Sequence, residues 1–196
     1  MRGYEEWRRR RDRVMEEGRR PQFDLFTATE AVELPAGFQA ALEVDVLPRS
    51  AGRPAGRRFG TLVHTILRDA DLGGDRQDVV SLARMHGRVL GAPKLEIEAA
   101  IEAASEALGH PLVRRAGVAP RCHRELPILL QLDDGRLLEG VIDLAFLEDG
   151  AWTVVDFKSD ADLPARRADY ERQLRWYVLA MSKITGLPAR GWLLGV

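Results

Sequence analysis

Asp143 in the segment EGVIDLAF, and Asp156 and Lys158 in VVDFKS, are charged residues set inside apolar runs. Side chains of a strand alternate between faces, so Asp156 and Lys158 share one face with Val154, while Val155 and Phe157 occupy the other. Asp143 lies between Ile142 and Leu144. A turn at Asp149-Gly150 would bring Asp143 and Asp156, thirteen positions apart, nearly opposite one another. Two carboxylates held that close raise each other's pKa unless a cation sits between them. Mg²⁺ meets that need: it takes carboxylate oxygens at ~2.1 Å and keeps several waters. Lys158 beside it could orient or help deprotonate an attacking water and stabilise charge on a phosphate. Spacing alone does not separate this arrangement from a buried Asp–Lys ion pair with an unrelated aspartate nearby, since structural pairs imitate sites.

The elements that would position these residues follow from local pattern. Residues 4–18, YEEWRRRRDRVMEEG, predict a charged helix closed by Gly18. In 23–33, FDLFTATEAVE, Thr27 or Thr29 could cap a brief helix. Residues 48–58, PRSAGRPAGRR, carry four Arg and no acid among Pro and Gly, which predicts a mobile loop. FGTLVHTILRDAD then places Val63, Ile66, Leu67 and Ala70 at helical spacing behind a Gly-Thr start. A second helix over roughly 94–108 would bury Ile97, Ile101, Ala104 and Leu108 and stop at Gly109. Strands are expected at 125–132, 137–148 and 152–159, joined by Asp134-Gly135 and Asp149-Gly150 turns as an antiparallel meander. DYERQLRWYVLAMSKI predicts a helix with Leu174, Tyr177, Val178, Met181 and Ile184 on one stripe, and GWLLGV a last short strand. Helix, meander, helix and strand make an α/β fold with a mixed central sheet flanked by helices.

Composition narrows the function classes. Hydrophobic residues at 45% and charged residues at 30% belong to a globular chain. No apolar run approaches the roughly 20 residues that span a bilayer, and the charged N-terminus has no apolar segment behind it, so a cytoplasmic setting is expected. Cys122 is the single cysteine, which excludes an internal disulfide and a cysteine-held cluster; any metal must sit on oxygen and imidazole ligands. The net charge of −1 provides no global field for a polyanion, so contacts with one would be local patches and bound metal. The chain stops directly after an apolar strand, which suggests a segment of a longer polypeptide.

EGVIDLAF followed by VVDFKSD resembles the core of the PD-(D/E)XK nucleases, in particular the RecB/AddA-like nuclease domains of bacterial helicase–nucleases. Further motifs stand in the same order. GTLVHTIL is similar to the helix whose histidine contributes to the metal site, giving His64; RELPILL to the strand that opens on a glutamate, giving Glu125; and YERQLRWYVLA to the Gln-x-x-x-Tyr helix, giving Gln173 and Tyr177. Ile142 stands where the nominal motif has proline, an apolar residue common in the RecB-like branch. The resemblance runs from about Phe59 to Val196, with 1–58 as a helical lead-in and Arg/Gly/Pro-rich loop.

The resemblance implies a restriction-endonuclease-like core that hydrolyses DNA phosphodiesters with Mg²⁺ or Mn²⁺. His64, Asp143, Asp156 and the backbone carbonyl of Phe157 would hold the metal, Lys158 would position the water, and a histidine ligand favours one tightly held ion over two. The substrate would be a DNA end, a single strand delivered by a helicase motor in the same polypeptide or complex, during double-strand-break processing for recombinational repair. Taken alone, His64 is more often a core histidine, Tyr177 mostly core, and Glu125 a ligand, a water-mediated ligand or an Arg partner; Gln173 would touch substrate or water. Arg166, Arg167, Arg172 and Arg175 either contact phosphates or form a solvated face. Two rivals are a catalytically inactive DNA-binding domain of this fold, which the intact Asp-x-Lys and histidine oppose, and a structural module that binds no metal.

Overall fold

The computed structural model describes residues 2–19, 23–30, 33–160 and 162–196. In chain order a charged helix α1 (Arg2–Arg19) precedes two short strands, β1 (Leu25–Thr27) and β2 (Leu42–Val46). Four helices follow: α2 (Arg57–Asp69), α3 (Arg76–Val89), α4 (Lys94–Gly109) and α5 (Pro111–Val118). The meander is β3 (Arg121–Gln131), β4 (Leu137–Glu148) and β5 (Ala151–Lys158), and the chain closes with α6 (Leu163–Thr185) and β6 (Ala189–Gly195). Asp149 and Gly150 both adopt positive φ, 49° and 75°, which suits a two-residue turn matched to strand twist.

β4 organises the six-stranded mixed sheet. One edge pairs antiparallel with β3 from Leu137 to Leu147. The other edge is divided: β1 runs parallel to Leu137–Glu139, and β5 runs antiparallel to Leu144–Glu148. β6 then pairs parallel with both β5 and β2. Helices α2 to α5 cover one face over Leu144, Phe146, Val155 and Phe157, while α6 covers the other over Ile142, Ala145, Trp152 and Val154.

That division of side chains exposes an irregularity. Ile142 and Leu144 are two residues apart, and in a regular strand they would share a face. They pack on opposite faces. Across the hairpin Cys122 and Leu126 are likewise divided. The change falls at Asp143 and at Glu125, the position opposite it between the register pairs Arg124↔Leu144 and Leu126↔Ile142. Glu125 has φ 48°, a left-handed conformation that non-glycine residues rarely adopt.

Several expectations need correction. The segment from 23 forms β1 and then a turn in which the Thr27 hydroxyl donates to the Glu30 carboxylate and the Glu30 N–H donates back to the hydroxyl; the remainder of the expected helix, at 31–32, lies outside the described residues. The loop at 48–58 is shorter and tethered: Arg57 and Arg58 belong to α2, Arg49 donates to the Ser159 carbonyl, and Arg53 bonds the Val196 carbonyl while lying over the Phe59 ring. Ile184 leaves the α6 stripe and is 51% exposed, because the helix runs past the sheet edge's apolar cover there. β2, α3 and α5 are not among the expected elements; β2 pairs with β6, and α3 and α5 pack into the helical layer over the sheet.

Gly140 lies on the stretch of β4 between its two partners, and a Cβ there would meet Tyr177 Cε1 at 2.7 Å. Gly140→Ala should therefore lower the unfolding free energy in urea by about 1–3 kcal/mol, the cost of overpacking a core. Unchanged stability would mean that α6 shifts freely against β4.

Candidate active site

α2 is held to the sheet by Phe59, Leu62, Val63 and Ile66, all fully buried. That seat fixes the flank one position on, so His64 emerges half-exposed above the ends of the strands. The last register pair between β4 and β5 is Leu144 with Val155, and the strands part at the next positions, Asp143 and Asp156. The Phe157 N–H there donates to Asp143 Oδ2 at 2.8 Å, and Asp143 Oδ1 stands 3.5 Å from His64 Nδ1. One ligand atom each from His64, Glu125 and Asp143 lies within 4.8 Å of the others. A cleft of about 410 Å³ opens over them, lined also by Gly60, Thr61, Arg68, Lys158, Ser159 and Asp160.

Asp156 stands beside this cluster on the α6 face, 3% exposed. Lys158 Nζ donates to its Oδ1 at 2.9 Å and lies 2.7 Å from the buried Oδ2. The ammonium also lies 4.8 Å over the Tyr170 ring, a favourable cation–π placement. Behind it Gln173 Nε2 donates to the Tyr177 hydroxyl at 3.1 Å, and Tyr177 is buried. Gln173 thus fixes a core tyrosine. The backbone group of Phe157 that meets Asp143 is its N–H.

The charges share a low-dielectric corner and shift one another. Burial pulls the His64 pKa down, but the adjacent Asp143 carboxylate outweighs it and the net shift is upward. Burial raises Asp143, yet His64, Lys158 and the Phe157 N–H together bring it below its ordinary value. For Asp156 burial dominates; Lys158 opposes it, the Asp143 charge adds to it, and the carboxyl is pushed up to about 6. Burial and the Asp143 charge also raise Glu125. An imidazole nitrogen and the Glu125 and Asp143 carboxylates form a donor set that could hold a hard divalent cation, while Asp156 lies outside that set, paired with Lys158.

The family model for the PD-(D/E)XK nuclease superfamily matches residues 35–196. The chain belongs to this superfamily. It is also similar to an ATP-dependent helicase/nuclease subunit from Alkaliphilus oremlandii (strain OhILAs), 27% identical over 149 residues. That match covers 65% of the chain and 12% of the relative, so the domain spans a small part of that protein's length.

Within this PD-(D/E)XK domain, the structure gathers His64, Glu125, Asp143, Asp156 and Lys158 at one fork in the sheet, with Gln173 and Tyr177 behind the pair. Of the arginine runs it brings only Arg49 and Arg166 to the cleft, where they bond the lining residues Ser159 and Asp160. Arg58 pairs with Glu96, Arg166 with Asp160, Arg167 and Arg175 with Glu171, and Arg172 with Asp169. Sequence reading passed over Arg68, Ser159 and Asp160, which line the cleft. Arg68 was within reach, since a residue four beyond His64 on a helix shares its flank.

Glu125 takes a left-handed backbone where the hairpin changes face, and such a conformation costs a non-glycine residue on the order of 1–3 kcal/mol. Asparagine tolerates that conformation. Glu125→Asn should raise the unfolding free energy by about 1 kcal/mol while reducing any activity of the cleft. A destabilised variant would show that the Glu125 carboxylate supports the fold.

Proposed function

We propose that this domain is a deoxyribonuclease that hydrolyses phosphodiester bonds with Mg²⁺ or Mn²⁺. The observation that carries the reading is the meeting of a His/Glu/Asp cluster with a buried Asp–Lys pair beneath an open cleft. His64, Asp143 and Asp156 would hold the metal, with Glu125 as a further ligand and the Phe157 carbonyl as a backbone one. Bound there, the ion would lower the pKa of a ligated water and stabilise charge on the phosphate. Lys158, held by Asp156, aligns the attacking water and donates to the phosphate oxygens; the water oxygen bonds phosphorus as the ester P–O bond breaks, one water proton passes to solvent, and the departing oxygen takes a proton from solvent. Gln173 and Tyr177 pack behind the pair and limit its motion.

The relative's name, a helicase/nuclease, and the small share of it that this chain spans support a domain that works beside a motor. The substrate is then a DNA end, cut exonucleolytically as a single strand fed by a helicase in the same polypeptide or complex, in the processing of double-strand breaks for recombinational repair. Residues 59–196 carry the chemistry and 1–58 lead into them. Among the described residues no helix is long and apolar enough to cross a membrane, and a cytoplasmic site of action fits DNA as substrate.

Calorimetric titration should show Mn²⁺ binding, and EDTA should abolish cleavage of linear DNA. Asp156→Asn should remove cleavage. Absence of both binding and cleavage in the parent chain would overturn the proposal. The raised pKa values of His64 and Asp156 set a pH dependence: each holds its proton to higher pH than usual and must lose it to ligate a cation. Mn²⁺ affinity should therefore fall as the pH drops through the raised His64 value and fall further below about pH 6 as Asp156 protonates, by about tenfold per pH unit for each proton displaced. A flat profile from pH 8 to about 5 would remove these residues from the ligand set.

His64 and Lys158 should separate in paired assays. His64→Ala should weaken Mn²⁺ binding, with high Mn²⁺ partly restoring the rate. Lys158→Ala should retain Mn²⁺ affinity, or raise it by removing a nearby positive charge, and lose cleavage by about 100-fold or more. Equal loss of metal binding in both variants would reverse the roles given to them.

A further inference from the structure

Arg68 stands one helical turn beyond His64 on α2 and, with Lys158, supplies the cationic lining of the cleft. The two differ in what they have left to give. Lys158 is mostly enclosed and holds both oxygens of Asp156 within hydrogen-bond distance, which leaves it one N–H for the cleft. Arg68 is about half exposed and is gripped edge-on by its neighbour: Nε donates to Asp69 Oδ1 at 2.7 Å and Nη2 to Asp69 Oδ2 at 2.9 Å. A guanidinium has five N–H donors in a rigid plane, so this fork uses two and leaves three, both on Nη1 and one on Nη2.

Asp69 is itself held from the far side. His86 of α3 brings Nε2 to 2.8 Å from Asp69 Oδ2, out of line for a hydrogen bond but at ion-pair distance. Asp69 on α2 and His86 on α3 thus set the plane of one guanidinium at the rim of a cleft crowded with carboxylates. A polyanionic strand entering that cleft needs a cation to offset Glu125 and Asp143. The arginine runs are turned onto the chain's own acids and carbonyls, and the two members that reach the cleft's residues, Arg49 at Ser159 and Arg166 at Asp160, do not line it themselves. Arg68 is also the right type for the task, since its planar donors match phosphate oxygens bidentately.

We propose that Arg68 binds a backbone phosphate next to the one being cleaved, with Asp69 and His86 as positioning residues that fix its plane. The inference rests on the nuclease reading above and identifies which side chain holds the substrate strand along α2.

The test uses the full 196-residue chain with a fluorescein-labelled single-stranded oligodeoxynucleotide. Binding is measured across a salt series with EDTA present to stop cleavage, and steady-state cleavage is measured in Mn²⁺. Arg68→Ala should raise KM by about tenfold with a smaller change in kcat, and should reduce the salt slope of binding by about 0.7, one phosphate contact on a single strand. Arg68→Lys should recover part of KM, because a point charge does not reproduce the fork. Mn²⁺ affinity should stay at the parent value in both variants. Asp69→Asn should raise KM in the parent and have no effect in the Arg68→Ala background; an effect in both backgrounds would assign Asp69 a structural role only. Parent-like KM and salt slope in Arg68→Ala, or a parallel loss of Mn²⁺ affinity, would overturn the inference while a cleaving parent left the nuclease reading intact. A parent that binds the oligonucleotide but does not cleave would sink that reading, and the salt slopes would still decide Arg68. A parent that does neither would sink both.

Discussion

Where β4 and β5 part after Leu144 and Val155, the N–H of Phe157 has no strand carbonyl to meet, and the Asp143 carboxylate accepts it at 2.8 Å. A buried amide left without a partner costs about 1–3 kcal/mol, so the fork in the sheet is stable only because a side chain closes it. An ionised carboxylate does this best, since a charge-assisted bond is stronger than a neutral one. One carboxylate oxygen is therefore engaged by the fold, and the other faces His64. The group that completes the sheet is the group around which the candidate ligands gather.

The same fork explains the neighbouring irregularities. The β3–β4 hairpin must serve α6 along one half and the α2–α5 layer along the other, so its side chains change face midway. The backbone makes that change at Glu125, in a left-handed conformation opposite Asp143. A glutamate is a poor residue for such a position and a useful one for a cation site, the pattern expected where strain is retained for function. Across the fork, Asp156 and Lys158 remain on the α6 face, where burial and mutual charge hold the ammonium within 3 Å of its partner.

Charge is deployed locally. The chain carries a net charge of −1, and most of the arginines in its two basic segments are paired with acids or carbonyls of the same molecule. Exposed pairs of this kind are worth little to stability and can exchange partners. A domain without a long-range field depends on something else to bring it a strand, which accords with a proposed place beside a motor and with a relative of which it covers 12%.

The sequence by itself determined the meander, the α2 and α6 helices and the same-face placement of Asp156 and Lys158. These follow from periods of 2.0 and 3.6 residues and from Asp-Gly turns, all of them local properties. It also determined the order of motifs in which His64, Glu125, Gln173 and Tyr177 were found. Other features belonged to the tertiary structure. Ile142 and Leu144 read as one face of a regular strand and lie on two, because which face a strand buries depends on the helices that happen to cover it. β1, at three residues, is too short to signal itself, and the parallel partners of β1 and β2, on β4 and β6, lie far along the chain. The pairing of Asp156 with Lys158, the capture of the Phe157 amide by Asp143, and the alignment of Arg68 by Asp69 and His86 each depend on where two elements stop running together. Periodicity describes how an element continues; it holds no information about where its neighbour departs.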